Sequence, residues 1–116
     1  MVVVVLLPED LPSLSTDVQP IFSASCAACH GERNPAMGLR LVPARTYHTT
    51  VNVRSVELSS TDRIVPYYPR RSYLLLEFEG AAHDTTGVFR AHAGVTFTAR
   101  ELAIIRSWIR AGAPNN

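Results

Sequence analysis

The chain has 116 residues, of which 47% are hydrophobic, and its mean hydropathy is +0.07. This length and composition predict one soluble globular domain and argue against a disordered or membrane-spanning chain. All eleven basic residues are arginines and the formal net charge is +1, so neither a basic nucleic-acid-binding stripe nor long-range charge steering of a partner is expected.

Residues 1–14 are predicted to form an apolar extension before a domain at residues 15–116. The run Val2–Leu7 is too short to cross a bilayer, and it lacks the basic start and small-residue cleavage site of a complete signal peptide. It is an uncharged, strand-forming run without proline, and such runs aggregate unless they are paired. We expect it to dock onto this domain, a neighbouring subunit or a membrane-associated complex.

A first helix is predicted after the loop Leu11–Ser15. Ser15 is the expected N-cap, and Asp17 lies in the first turn, where a negative charge suits the helix dipole. Gly31 is the expected end of the helix. Apolar residues recur at three- and four-residue spacing along the predicted buried face, namely Val18, Ile21, Phe22 and Cys26.

This helix leads into Cys26-Ala27-Ala28-Cys29-His30, a C-x-x-C-H sequence of the type that attaches haem covalently. Residues three and four apart share a helix face, so both sulfurs can bond the vinyl groups while the imidazole binds the iron. The motif predicts Cys26 and Cys29 as thioether residues and His30 as the proximal iron ligand.

Three other interpretations of the motif remain open. A structural zinc site needs four protein ligands, and the chain has only two cysteines. A thioredoxin-like dithiol expects a βαβ setting, which the pattern of elements does not predict. A simple disulfide between Cys26 and Cys29 leaves His30 unexplained. Haem attachment is therefore the favoured interpretation.

The middle of the chain is irregular. Prolines punctuate residues 32–69, which predicts a long functional loop that wraps the edges of a cofactor. Within it, Thr50–Leu58 alternates with period two and predicts a short strand or extended edge. A short helix is expected at Ser72–Phe78, followed by loop over Gly80–Gly94. The residues expected to be largely buried in the short helix are Tyr73, Leu74, Leu76 and Phe78.

The last helix carries the clearest local signals. Thr98 and Glu101 form a T-x-x-E capping box at its start. Gly112 and Pro114 are expected to end it. Its predicted buried stripe consists of Leu102, Ile105, Trp108 and Ile109.

Four phrases occur in this order: Val18-Gln19-Pro20-Ile21-Phe22 before the C-x-x-C-H-G motif, Gly38-Leu39-Arg40-Leu41, Ser72-Tyr73-Leu74, and the segment from Leu102 to Ala113. Together they span most of the chain from Val18 onward, although only the motif is specific by itself. In order and spacing they resemble the class I cytochrome c fold and, more narrowly, the small monohaem domains described as planctomycete-type.

The resemblance implies an all-α domain whose first and last helices pack beside one covalent haem c. It implies electron transfer, as a carrier or as a docked subunit of a larger redox complex, rather than an enzyme. The expected partners are redox proteins, without nucleic acid. A periplasmic or other extracytoplasmic location is expected, with the signal peptide absent from this chain. The alternative is a haem-based sensor or peroxidase-like domain with an open or displaceable sixth ligand.

The sixth iron ligand is the open question. Domains of this kind usually carry an Arg-Met-Pro phrase before the last helix, where this chain has Arg90-Ala91-His92. His92 is therefore the first candidate, with Met37 and His83 as alternatives. His48, or an open or water-bound position, is the remaining alternative for the sixth ligand.

Further contacts to the proximal imidazole and to the haem propionates are expected. The resemblance implies that a proline carbonyl, from Pro35 or Pro43, orients the proximal imidazole. A planar guanidinium suits haem propionates, and the arginines considered for that role are Arg40, Arg45, Arg54, Arg70, Arg71 and Arg90.

Overall fold

The computed structural model describes residues 11–80, 89 and 90, and 95–116. This part of the chain is mostly helical with little strand, which agrees with the predicted helical class; the cytochrome c arrangement stays a prediction. The helices are α1 (Gln19–Ser25), α2 (Thr46–Thr50), α3 (Tyr73–Glu79) and α4 (Ala99–Arg110), with shorter helical turns at Leu14–Val18, Ala36–Gly38 and Pro69–Arg71. The strands β1 (Phe89–Arg90) and β2 (Thr96–Phe97) pair antiparallel, with residue 89 opposite 97 and residue 90 opposite 96.

The first helical segment begins two residues earlier than predicted. Ser13 Oγ accepts a hydrogen bond from the Thr16 amide at 3.0 Å, and the Ser13 amide donates to Asp17 Oδ2 at 2.7 Å. The prediction of Ser15 as N-cap was wrong, because its hydroxyl donates to the backbone oxygen of Asn116 at 2.9 Å. The start of the domain is thus tied to its C-terminal end.

The predictions for α4 are confirmed. The Glu101 amide donates to Thr98 Oγ1 at 3.1 Å, and the Thr98 amide donates to Glu101 Oε1 at 2.9 Å. All four residues of the predicted stripe are buried. The helix stops before Gly112, which has φ +109° and lies where a Cβ would come within 2.8 Å of the Tyr67 ring. Any side chain there would be strained and would displace the tyrosine.

The core joins the first and last helical segments of the described chain to α3. The Leu14–Val18 turn and α3 both pack against α4. Phe78 lies between Phe22 and Phe97, with ring centroids 5.8 Å and 4.5 Å away, respectively. These aromatic contacts hold α3 against the segment that leads into Cys26.

Two predictions in the middle of the chain were wrong. The segment predicted as a strand begins in α2 and then makes only isolated bridges, Val51 to Ile64 and Arg54 to Asp62. An alternating pattern needs a continuous partner strand to become a ladder, and the described residues provide only these single pairs. In α3, the prediction that Leu76 is largely buried was wrong. Leu76 is 43% exposed whereas Leu75 is 1% exposed, because the helix turns its face with positions 74, 75 and 78 towards the core.

Candidate functional site

The C-x-x-C-H motif lies in a tight turn directly after α1. The helix ends at Ser25 with Cys26 as its C-cap, so the prediction of Gly31 as the helix end was wrong. Helix-like bonds continue nevertheless: the Cys26 amide donates to Phe22 O at 2.8 Å, and the His30 amide donates to Cys26 O at 3.0 Å. The four-residue spacing of a helical turn is therefore preserved between Cys26 and His30.

Cys26, Cys29 and His30 all line one cavity of about 540 Å³. This volume falls in the range of about 300–1,000 Å³ that is typical of cofactor and ligand sites. The rest of its lining is mostly apolar and comes from the end of α1 and the motif itself, from the middle segment, from α3 and from the residue before β2. These residues are Ser25, Ala28, Ala36, Met37, Leu39, Leu41, Glu57, Leu74, Glu77, Phe78 and Val95.

The two cysteines differ in environment. Cys29 is exposed, whereas Cys26 is buried. Burial raises the pKa of the Cys26 thiol to about 11, with smaller contributions from Cys29 and Glu101. Cysteines that act as redox nucleophiles have lowered pKa values and exist as thiolates. The site therefore does not resemble a thioredoxin-like dithiol, and the two sulfurs are not joined in a disulfide.

The imidazole of His30 is fixed by two backbone carbonyls. Its Nδ1 lies 3.1 Å from Ala36 O and 3.2 Å from Leu39 O, and the residue is 8% exposed. Because a carbonyl can only accept, Nδ1 carries the proton and donates. In the neutral ring Nε2 is then the nitrogen with the lone pair, which is the form and orientation that metal-binding histidines use.

The prediction that a proline carbonyl orients the imidazole of His30 was wrong. The Pro35 carbonyl accepts from the Gly38 amide at 3.1 Å, inside the same turn. Pro43 lies elsewhere, on a separate pocket near the C-terminus. The nearer of the two carbonyls that face the imidazole is that of Ala36, the residue after Pro35.

A polar group lies along one side of the cavity. Tyr73 Oη is 2.7 Å from Glu57 Oε2 and 2.8 Å from Glu77 Oε1, and both glutamates line the cavity. These hydrogen bonds raise the pKa of the Tyr73 phenol. Positions 73 and 77 are one helical turn apart, but no local pattern joins Glu57 to them, so this group was not among the predicted site residues.

Arg63 is a further residue that the sequence did not single out. It is 7% exposed and lines a small recess that shares His30 and Met37 with the cavity. Its Nη1 donates to Thr49 O at 2.8 Å and its Nη2 to Met37 O at 2.6 Å, and burial lowers the pKa of its guanidinium. The described arginines that were considered for propionates, at positions 40, 45, 54, 70 and 71, line neither space.

The candidates for the sixth ligand are placed differently. Met37 lines the cavity and is half exposed. His48 packs edge-on against Tyr47 with ring centroids 5.4 Å apart and lines a separate pocket. His92 and His83 lie outside the described residues, as does the Val2–Leu7 run.

The described side chains also bear on the zinc interpretation. Within the part of the chain that the structure describes, no group of three or more His, Cys, Asp or Glu side chains is arranged to hold a metal ion. A zinc site of protein ligands would therefore need residues outside that part. A search of the same residues finds no helix with the length and apolarity needed to cross a bilayer.

Comparisons with known proteins do not assign a family. The sequence matches no family model, no curated protein and no solved structure. The resemblance to cytochrome c therefore stays a prediction from the motif and the order of the sequence phrases.

Proposed function

We propose that this chain is a monohaem c-type cytochrome domain that transfers electrons, as a carrier or as a docked subunit of a larger redox complex. The observation that supports this best is the convergence of Cys26, Cys29 and His30 on one mainly apolar cavity. In this proposal the two cysteines hold one haem c by thioethers, and His30 is the proximal ligand of its iron.

The residues present fit such a group. The cavity has the size of a cofactor site. Leu39, Leu41, Leu74 and Phe78 supply the apolar surface that a porphyrin needs. When bound, the haem supplies a one-electron couple at its iron, and the apolar lining restricts water around it. No residue is assigned a catalytic role.

The position of the turn at residues 36–39 bears on the sixth ligand. The carbonyls of Ala36 and Leu39 both face His30 Nδ1, which places the turn behind the imidazole, away from Nε2. Met37 belongs to this turn, and its side chain also lines the cavity. His92 is the proposed sixth ligand, with Met37 and His83 as the alternatives, and two histidine ligands would give a lower reduction potential than a His/Met pair.

The proposed setting follows from the cofactor. Covalent attachment of haem to a C-x-x-C-H motif takes place outside the cytoplasm, so a periplasmic or equivalent compartment is proposed. Redox proteins are the proposed partners. The near-neutral charge and the lack of lysine favour a docked subunit over a charge-steered shuttle.

The first experiment tests covalent attachment. The chain is exported to a periplasm with a haem-attachment apparatus, denatured, and examined for haem that migrates with the polypeptide. We expect retained haem in the wild type. Cys26→Ala and Cys29→Ala should each leave one vinyl group unreacted and shift the alkaline pyridine spectrum to longer wavelength. His48→Ala, outside the cavity, should match the wild type.

Thiol labelling provides the opposing outcome. If no thioether forms, iodoacetamide should label Cys29 in the folded protein and both cysteines only after unfolding, because Cys26 is buried with its pKa raised to about 11. Labelling of both cysteines in unfolded protein from the haem-attaching host would contradict the proposal.

Carbon monoxide separates the carrier from the sensor or peroxidase-like alternative. A reduced six-coordinate carrier should bind the gas slowly or not at all, and His92→Ala should become high-spin and bind it rapidly. Rapid binding by the wild type would instead favour the alternative function. Low-spin spectra in His92→Ala together with a high-spin His83→Ala would move the sixth ligand to position 83.

A further inference from the structure

We propose that Arg63 is a positioning residue for the proximal imidazole. It holds the Met37 carbonyl and thereby keeps the 36–39 turn in the conformation that directs two carbonyls at His30 Nδ1. The effect of this contact on a haem rests on the proposed function, whereas its effect on the His30 ring does not.

Arg63 is well anchored for this role. Its backbone amide donates to Val53 O at 2.7 Å, and its carbonyl accepts from the Leu74 amide at 2.9 Å. Its guanidinium donates to Thr49 O, in the last turn of α2, and to Met37 O. Met37 precedes Arg63 by 26 residues in the sequence. A planar fork can make two such bonds in fixed directions, which a lysine ammonium cannot. Arg63 is therefore a rigid connection between α2 and the turn.

The turn needs such a connection. Met37 and Gly38 have φ values of +58° and +69°, so the chain adopts two successive left-handed residues there. Methionine disfavours this region of backbone space. The Met37 side chain is half exposed, so its own packing contributes little to holding the strained backbone. The 2.6 Å bond from Arg63 acts directly on the strained residue.

The consequence at His30 is electronic as well as geometric. The bonds that Nδ1 donates to Ala36 O and Leu39 O make the imidazole a stronger electron donor through Nε2. A stronger donor favours ferric over ferrous iron, and loosening the turn should therefore favour the ferrous state. The positive charge of Arg63 favours the ferrous state by itself, so a neutral substitution would mix two opposing effects.

The experiment separates charge from geometry with Arg63→Lys, which keeps the charge but loses the fork. Arg45→Lys is the matched control, because Arg45 is exposed and its side chain pairs with Glu32 on the surface. Two quantities are measured in the protein as expressed: the ¹⁵N NMR signals of the His30 ring and the reduction potential. In the haem-bearing protein Nε2 would bind the iron, so we expect Arg63→Lys to weaken the Nδ1–H bonds, seen as a shift of the Nδ1 signal, and to favour reduction about tenfold, which is about 59 mV for one electron. In haem-free protein the same variant should mix the Nδ1–H and Nε2–H ring forms. Arg45→Lys should change neither quantity.

A wild-type measurement covers the case in which Arg63→Lys does not fold. Hydrogen exchange is followed at the His30 Nδ1 proton and the Arg63 guanidinium protons in low concentrations of urea. We expect both to exchange through one opening with the same urea dependence. Exchange of the His30 proton through a separate, smaller opening would overturn the proposal.

The two proposals fail in different ways. A chain without haem contradicts the cytochrome function, but the ring signals of His30 still test Arg63. A haem-bearing Arg63→Lys protein with wild-type ring signals and potential overturns the positioning role and leaves the cytochrome function standing. A variant that is only less stable, with both readouts unchanged, also overturns it.

Discussion

Helix α4 and the turn at residues 36–39 show two different ways of holding a backbone. In α4 the interior backbone hydrogen bonds lie within the helix, and the cap at its start comes from Thr98 and Glu101 within the same turn. In the 36–39 turn, the backbone is left-handed at Met37 and Gly38, and its carbonyls bond to side chains at positions 30 and 63.

The difference bears on which region forms the candidate site. A helix whose polar groups bond to each other has few backbone carbonyls to offer to a site. The irregular turn presents the carbonyls of Ala36 and Leu39 to one nitrogen of His30, at the expense of local strain. We infer that α4 mainly supplies stability, whereas the turn mainly supplies the chemistry of the cavity.

The largest expected effect is in α4. Trp108 is fully buried, and its indole nitrogen donates to Pro114 O at 3.0 Å. Trp108→Ala should lower the free energy of unfolding by about 3–5 kcal/mol, because it removes a large core side chain and leaves a cavity. Urea denaturation measures the loss. Ala103→Ser, on the exposed face of the same helix, should stay within about 0.5 kcal/mol of the wild type. A small loss for Trp108→Ala would contradict the assignment of stability to α4.

The next effect is in the turn. Met37→Ile should lower the free energy of unfolding by about 1–3 kcal/mol, because a β-branched residue is poorly accommodated at φ +58°. Met37→Asn tests the cause, since asparagine tolerates left-handed backbone and the side chain is half exposed. It should be close to neutral. Equal losses for the two variants in urea denaturation would show that side-chain packing, not backbone strain, matters at this position.

The smallest effect is at the cap of α4. Thr98→Ala removes the acceptor for the Glu101 amide and should cost about 0.5–2 kcal/mol. Thr98→Ser keeps the hydroxyl and should retain most of that stability. Thermal unfolding followed by circular dichroism compares the two. If Thr98→Ala changed the absorption spectrum of a bound haem without lowering the stability, α4 would affect the cavity directly. That result would contradict the assignment of stability to α4 and of the cavity's chemistry to the turn.

Much of the helical fold was predictable because its signals are local. The capping box, the apolar stripe and Gly112 define α4 within fifteen residues, and they were all confirmed. The errors arose where a neighbouring part of the fold decided between two local options. Ser13 rather than Ser15 caps the first helical segment, because the Ser15 hydroxyl bonds to Asn116.

The candidate site divides in the same way. Cys26, Cys29 and His30 were expected together because their spacing alone brings them to one side of a turn, and all three line the cavity. The group of Glu57, Tyr73 and Glu77 was not predicted, since residues 57 and 77 meet only after the middle segment folds against α3. The assignment of haem, the sixth ligand and the electron-transfer role stay predictions.

The sequence by itself determined that a helix leads into the C-x-x-C-H motif and that a capped helix starts after Thr98, because both features depend on residues within a few positions of each other. Only the tertiary structure decided how His30 is held. The carbonyls at its Nδ1 belong to Ala36 and Leu39 rather than to a proline, and the arginine that fixes their turn comes from position 63. Such contacts depend on backbone direction and on residues far apart in the chain, neither of which a local pattern contains.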